Sequence, residues 1–116
     1  MEQAIEKIQD KIRELKSCGG RPERLPECYE EFRQYEVWKH HVTRLNALRE
    51  ALYLIYDSLG LMSGVLVAIN NEIDVHTNAI YLNQFGEVEI NFRHAGTFEQ
   101  HEKAMDIFDS IDTAKV

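Results

Sequence analysis

Residues 32–59 read FRQYEVWKHHVTRLNALREALYLIYDSL, in which Phe32, Tyr35, Trp38, Val42, Leu45, Leu48, Leu52, Ile55 and Leu59 recur at intervals of 3, 3, 4, 3, 3, 4, 3 and 4. Intervals of 3 and 4 mark a helical seam that holds for about thirty residues. Unbroken, such a helix is roughly 45 Å long at about 1.5 Å per residue, more than a small domain spans. Something has to cover the excess. Either the helix breaks at residues 40–43 (His-His-Val-Thr), where helix propensity is weakest, or a second copy of the chain lies along it. A homodimer is the expectation, with Tyr35, Trp38, Val42 and Leu45 as the self-association residues. Tyr29, Phe32, Tyr35 and Trp38 form an aromatic run that serves either as core or as an interface anchor.

Toward the N-terminus, Met1, Ile5, Ile8, Ile12 and Leu15 follow one another at 4, 3, 4 and 3, which predicts a first helix. Gly19-Gly20 ends it, and Pro22 and Pro26 hold residues 21–26 as a loop. The first helix is therefore the shorter arm of a helical hairpin and covers only part of the long stripe.

Beyond Leu59 the helical period stops, and Gly60 followed by Leu61 suits a glycine cap with an apolar contact behind it. Residues 65–69 (VLVAI) are a short apolar run with β-branched members, readable as a buried strand or as more helix. Asn70-Asn71 signals a turn, and residues 73–76 fit a short strand. Residues 79–83 and 87–93 flank Gln84-Phe85-Gly86 as a hairpin, with Val88, Ile90 and Phe92 inward and Glu87, Glu89, Asn91 and Arg93 outward.

Thr97 with Gln100 three residues later makes a capping-box pattern that opens a last helix. Phe98, His101, Ala104, Met105, Ile107, Phe108 and Ile111 fall on its core side. Glu99, Glu102, Asp106 and Asp109 crowd into a narrow arc opposite. The fold class expected is α+β: an N-terminal helical hairpin with a long second helix, a small mainly antiparallel sheet, and a C-terminal helix packed on that sheet. With 116 residues and 44% hydrophobic composition, one core is the expectation. Residues 1–59 form its helical scaffold and self-association part, residues 60–116 its β-meander and acidic helix.

Charge is unevenly divided. Residues 1–58 carry 10 Lys/Arg against 11 Asp/Glu (net −1), and residues 59–116 carry 3 against 9 (net −6). A net charge of −7 repels phosphate and leaves few cations to release counterions, so direct nucleic-acid binding is not expected. No apolar run approaches the roughly 20 residues of a membrane span. Two cysteines, and no apolar leader after Met1, point to a cytoplasmic setting.

The four acids of the last helix read either as a solvating face or as a docking surface, extended by Glu87 and Glu89 on the strand. The preferred expectation is a non-enzymatic acidic binding protein that docks on, and inhibits or masks, the basic surface of a partner protein such as nucleic-acid-handling machinery. A structural or assembly module working through the long helix is the alternative. The third reading is a small hydrolase assembled from Asp74, His76 and His94, which needs hydrogen-bond geometry among them. No cofactor or metal is expected. Adjacent His40 and His41 diverge by about 100° on a helix, and Cys18 and Cys28 have no second pair to complete a zinc set.

Overall fold

The computed structural model describes residues 2–17, 22, 24–73, 76–93 and 96–116. Its elements in chain order are α1 (Glu2–Lys16), α2 (Tyr29–Ser58), α3 (Met62–Glu72), β1 (Thr77–Leu82), β2 (Val88–Phe92), α4 (Phe98–Asp109) and a closing 3₁₀ turn (Thr113–Lys115). The architecture is α+β, with a helical hairpin first and a C-terminal helix packed on a two-stranded antiparallel sheet.

Helix α2 runs unbroken through residues 40–43, the stretch where its propensity is weakest. Thr43 turns its hydroxyl back to the Lys39 carbonyl (3.0 Å), which satisfies the side chain without interrupting the helix. The C-terminus of α2 is a Schellman cap. The Gly60 N–H donates to the Asp57 carbonyl (3.1 Å) and the Leu61 N–H to the Tyr56 carbonyl (2.9 Å), with Gly60 at φ +72°. Past this cap the chain turns by 115° into α3.

Residues 65–69 belong to that helix, so the strand reading of this run is overturned, and the expected β-meander reduces to one hairpin among the described residues. Burial shows why. Val65 and Ile69, four apart, are fully buried, while Val67 between them is 58% exposed; a strand would place all three on one face. Asn70 is likewise a residue of the last helical turn instead of a loop signal. Its Oδ1 accepts from the Thr77 N–H (2.8 Å) and from the Thr77 hydroxyl (2.6 Å), pinning the start of β1 to the end of α3. Of the expected strand at 73–76, Ile73 caps α3, His76 lies outside β1, and Asp74 and Val75 lie outside the described residues.

The hairpin pairs Ile80 with Ile90 and Leu82 with Val88, so the buried side chains share one face. Gly86, at φ +75°, supplies the left-handed turn residue. Asn83 organises the turn, its Oδ1 accepting from the Phe85 and Glu87 N–H groups (2.9 and 3.0 Å). Helix α4 opens with the full capping box, Thr97 and Gln100 each bonding the other's backbone N–H.

The core joins all of these elements. Ile5 and Ile12 from α1, Leu52 and Tyr56 from α2, Val65 and Ile69 from α3, Ile80, Val88 and Ile90 from the hairpin, and Ala104 and Phe108 from α4 are buried together. Tyr56 is its polar centre. Its hydroxyl donates to the Phe108 carbonyl (3.0 Å) and accepts from Gln9 Nε2 (3.1 Å), and its ring meets Phe108 edge-on at 5.2 Å. Gln9 Nε2 also donates to the Ile111 carbonyl (2.9 Å), so one amide ties α1 to the chain after α4.

Burial pushes the Tyr56 phenol up to about 12, because ionisation inside the core is penalised. A folded-state value above the unfolded one near 10 keeps its stabilising contribution whole below about pH 10 and loses it as pH rises toward 12. Alkaline unfolding should therefore steepen in that window by roughly 2 to 3 kcal/mol, and Tyr56→Phe should lack this component when stability is measured by urea titration at several pH values. Gly60→Ala should lower stability by about 1 kcal/mol in the same assay, because alanine is strained at the cap's positive φ.

Candidate protein-interaction surface

The two arms of the helical hairpin run antiparallel. Gln9 of α1 bonds Tyr56, while Lys16, near the α1 C-terminus, reaches the Asp109 carboxylate that also holds Arg49. Helix α1 therefore stops level with Arg49, and the twenty residues of α2 before that point project roughly 30 Å past its end. The molecule is elongated as a result. Its longest dimension is 47 Å and its radius of gyration 15.4 Å, against about 13 Å for a compact chain of similar length.

The projecting half of α2 is largely solvent-exposed. Tyr29 is 78% exposed and Phe32 51%, whereas the fully buried residues of α2, Leu52 and Tyr56, both lie in its second half. Trp38 packs against Tyr35 with ring centroids 5.5 Å apart, and the Lys39 ammonium sits 5.7 Å from the Tyr35 ring centre. Of the expected self-association residues, Trp38, Val42 and Leu45 are half-buried and enter one groove; Tyr35 lies just outside it.

This groove has a volume of about 520 Å³ and runs between α2 and α4, closed at one end by Leu15 and Lys16 of α1. Trp38, His41, Val42, Leu45 and Arg49 line its α2 side, and Phe98, His101, Glu102, Met105 and Asp106 its α4 side. Phe98 and His101 depart from the expected core side of α4. They occupy its first turns, which reach beyond the core onto the projecting half of α2, so Phe98 is 76% exposed and His101 covers Phe92 edge-on at 4.3 Å. The helical wheel places a residue around the axis and carries no information about how far along the helix the core extends.

The expected row of four acids on α4 is divided by tertiary contacts. Asp109 is 3% exposed, not solvated: Arg49 donates to it through Nε and Nη2 (2.9 and 2.7 Å), and Lys16 Nζ adds a third contact (3.1 Å). The fork satisfies both carboxylate oxygens, the condition for burying a charge at tolerable cost. Asp106 is exposed and pairs with the same Lys16. Glu99 and Glu102 remain exposed, with no ion pair to any described residue.

Glu89 and Glu87 stand apart from that row. Phe92, on the inward face of β2, meets α4, so Glu89 on the alternate face points away from it. Its carboxylate accepts from the Tyr81 hydroxyl (2.6 Å) and from Asn83 Nδ2 (2.9 Å), and these bonds hold its pKa below the usual carboxylate range while raising that of Tyr81. Glu87 is half-buried beside the hairpin turn. The continuous negative patch expected from the sequence is thus split between two faces.

Of the hydrolase candidates, Asp74 and His94 lie outside the described residues, and His76 is exposed with its carbonyl accepting from the Arg93 N–H (2.8 Å). Among the described residues no three His, Cys, Asp or Glu side chains converge as a metal site. Cys28 is exposed and Cys18 falls outside the described residues. No single described helix is long and apolar enough to cross a membrane. Comparison with protein-family models, with curated proteins and with solved structures finds no match to this chain.

Two sequence signals pointed toward the groove, the α2 stripe and the Phe98–Met105 spacing, but nothing in their order said that they face each other. Lys16 and Arg49 carry no motif at all. Removing the buried carboxylate in Asp109→Ala should cost about 3 kcal/mol in urea unfolding, because Arg49 and Lys16 lose their common partner in a mostly desolvated place. Asp106→Ala, which removes an exposed pair, should cost less than about 1 kcal/mol.

Proposed function

We propose that this chain is a non-enzymatic protein-binding or assembly module whose working surface is the projecting half of α2 together with the groove between α2 and α4. The observation that carries this reading is a groove that brings Trp38, Val42 and Leu45 of α2 opposite Phe98 and Met105 of α4, on a helix whose projecting end also exposes Tyr29 and Phe32. Aromatic residues grouped about a concave apolar surface are the side chains that most often anchor protein interfaces.

A second reading, an acidic surface that docks on a basic partner protein and inhibits or masks it, draws support from Glu99 and Glu102. Both are exposed and outside the ion pairs that occupy Asp106 and Asp109. They border the aromatic surface, so charge steers approach while apolar contact holds the partner. The division predicts which substitutions matter. In affinity capture from the native host lysate with mass measurement, Trp38→Ala with Leu45→Ala should abolish capture, and Glu99→Lys with Glu102→Lys should slow association and make it less sensitive to salt. Capture that survives the first pair and fails with the second would transfer the function to the acidic surface.

A further inference from the structure

We infer that β2 pairs edge to edge with the β2 of a second copy of this chain, antiparallel about Ile90, so that the two hairpins join into one continuous sheet. The contact lies outside the α2–α4 groove and uses none of the residues that line it.

Hydrogen bonding within the hairpin leaves one edge open. The Asn83 N–H donates to the Glu87 carbonyl (2.9 Å) and the Arg93 N–H to the His76 carbonyl (2.8 Å). With Ile80 opposite Ile90 and Leu82 opposite Val88, that alternation turns the backbone groups of Glu89 and Asn91 toward β1 and those of Val88, Ile90 and Phe92 away from it. The outer edge of β1 is already taken. Asn70 meets the N–H and the carbonyl of Thr77 (2.8 and 3.4 Å), and the Tyr53 hydroxyl reaches the Ile80 carbonyl (3.5 Å). On β2 the outward N–H and C=O groups of Val88, Ile90 and Phe92 have no hydrogen-bond partner among the described residues. Such a row of unpaired backbone groups is a template for another strand.

The residues of β2 make a second β2 that strand. Residues 87–93 read Glu-Val-Glu-Ile-Asn-Phe-Arg, with Ile90 at the centre. About a two-fold axis at Ile90, Val88 meets Phe92 of the other copy and Ile90 meets its counterpart. Each of these pairs exchanges two hydrogen bonds through the groups that β1 leaves unused, as an isologous contact requires. Val88, Ile90 and Phe92 share the inward face, so the apolar layer continues across the join. On the outer face Glu87 of each copy falls opposite Arg93 of the other, and Glu89 opposite Asn91. Neither Glu87 nor Arg93 forms an ion pair with any described residue, so both charges are available to the second chain. A parallel arrangement sets Glu87 beside Glu87 and Glu89 beside Glu89, which like-charge repulsion disfavours.

The test uses the full chain in sedimentation equilibrium and in amide hydrogen exchange, each across a concentration series. The wild type should pass from the 13.5 kDa chain mass to twice that mass as concentration rises. In the dimer the amides of Val88, Ile90 and Phe92 should exchange at least about tenfold more slowly than in the monomer, while those of Glu89 and Asn91, bonded to β1, are protected throughout. Glu87→Arg and, separately, Arg93→Glu should each weaken dimerisation at least about tenfold, because each sets like charges opposite one another at both ends of the join. An equimolar mixture of the two variants should restore the dimer, since each arginine then faces a glutamate.

A chain that stays monomeric up to millimolar concentration overturns the inference. So does a dimer in which the amides of Val88, Ile90 and Phe92 exchange as they do in the monomer, or one that the mixture of variants fails to restore. A dimer indifferent to Glu87→Arg and lost in Trp38→Ala with Leu45→Ala belongs to the α2–α4 groove and also overturns the pairing of β2.

Discussion

The Asp109 carboxylate is the point on which the arrangement of helices depends. It is the one acid of α4 that is buried, and it is held by Arg49 from α2 and Lys16 from α1. A desolvated carboxylate tolerates little displacement from its donors, because any loosening leaves charge in a low-dielectric place without compensation. Three helices are therefore registered against one another at a single level. That level sets where α1 ends along α2, and hence how much of α2 projects. It also sets how α4 meets α2, and hence the groove between them. Below it lies the Tyr56 hydroxyl, whose bonds to Gln9 and Phe108 repeat the same three-helix tie with neutral groups.

The same knot redistributes the charge of the second half. A net −6 over residues 59–116 suggests a broadly acidic surface, but two of the four α4 acids are drawn to cations of the first half. On α4 this leaves Glu99 and Glu102 exposed outside those pairs, beside the aromatic side chains of its first turns. Charge here acts at the border of an apolar surface. Rim charges of this kind govern the rate and direction of association more than its strength.

Local pattern and structure agree where a signal is self-contained. The α1 seam, the Gly60 cap, the Gly86 turn, the β2 alternation and the Thr97–Gln100 box each depend on residues within a few positions of one another, and each is present. They diverge where the environment is supplied from far along the chain. Residues 65–69 are apolar enough for either a strand or a helix, and the choice falls to packing that buries Val65 and Ile69 while leaving Val67 in solvent. Phe98 and Asp109 are the paired case on α4. The wheel assigns the first to the core and the second to water; the first reverses because the core covers only the C-terminal part of that helix, the second because Arg49 and Lys16 close on its carboxylate.

Periodicity and capping chemistry in the chain alone were enough to specify the helices at both ends, the length of α2, the hairpin and the α+β class, since these follow from short-range sterics and hydrogen bonding. The existence of an overhang was also implicit, because a stripe thirty residues long exceeds what its shorter partner can cover. Its cover was not. Which acid is buried, where the groove opens and which aromatics surround it were settled by three-dimensional packing, for the physical reason that desolvation and ion pairing depend on neighbours sixty to ninety positions away, such as Arg49 and Lys16 around Asp109.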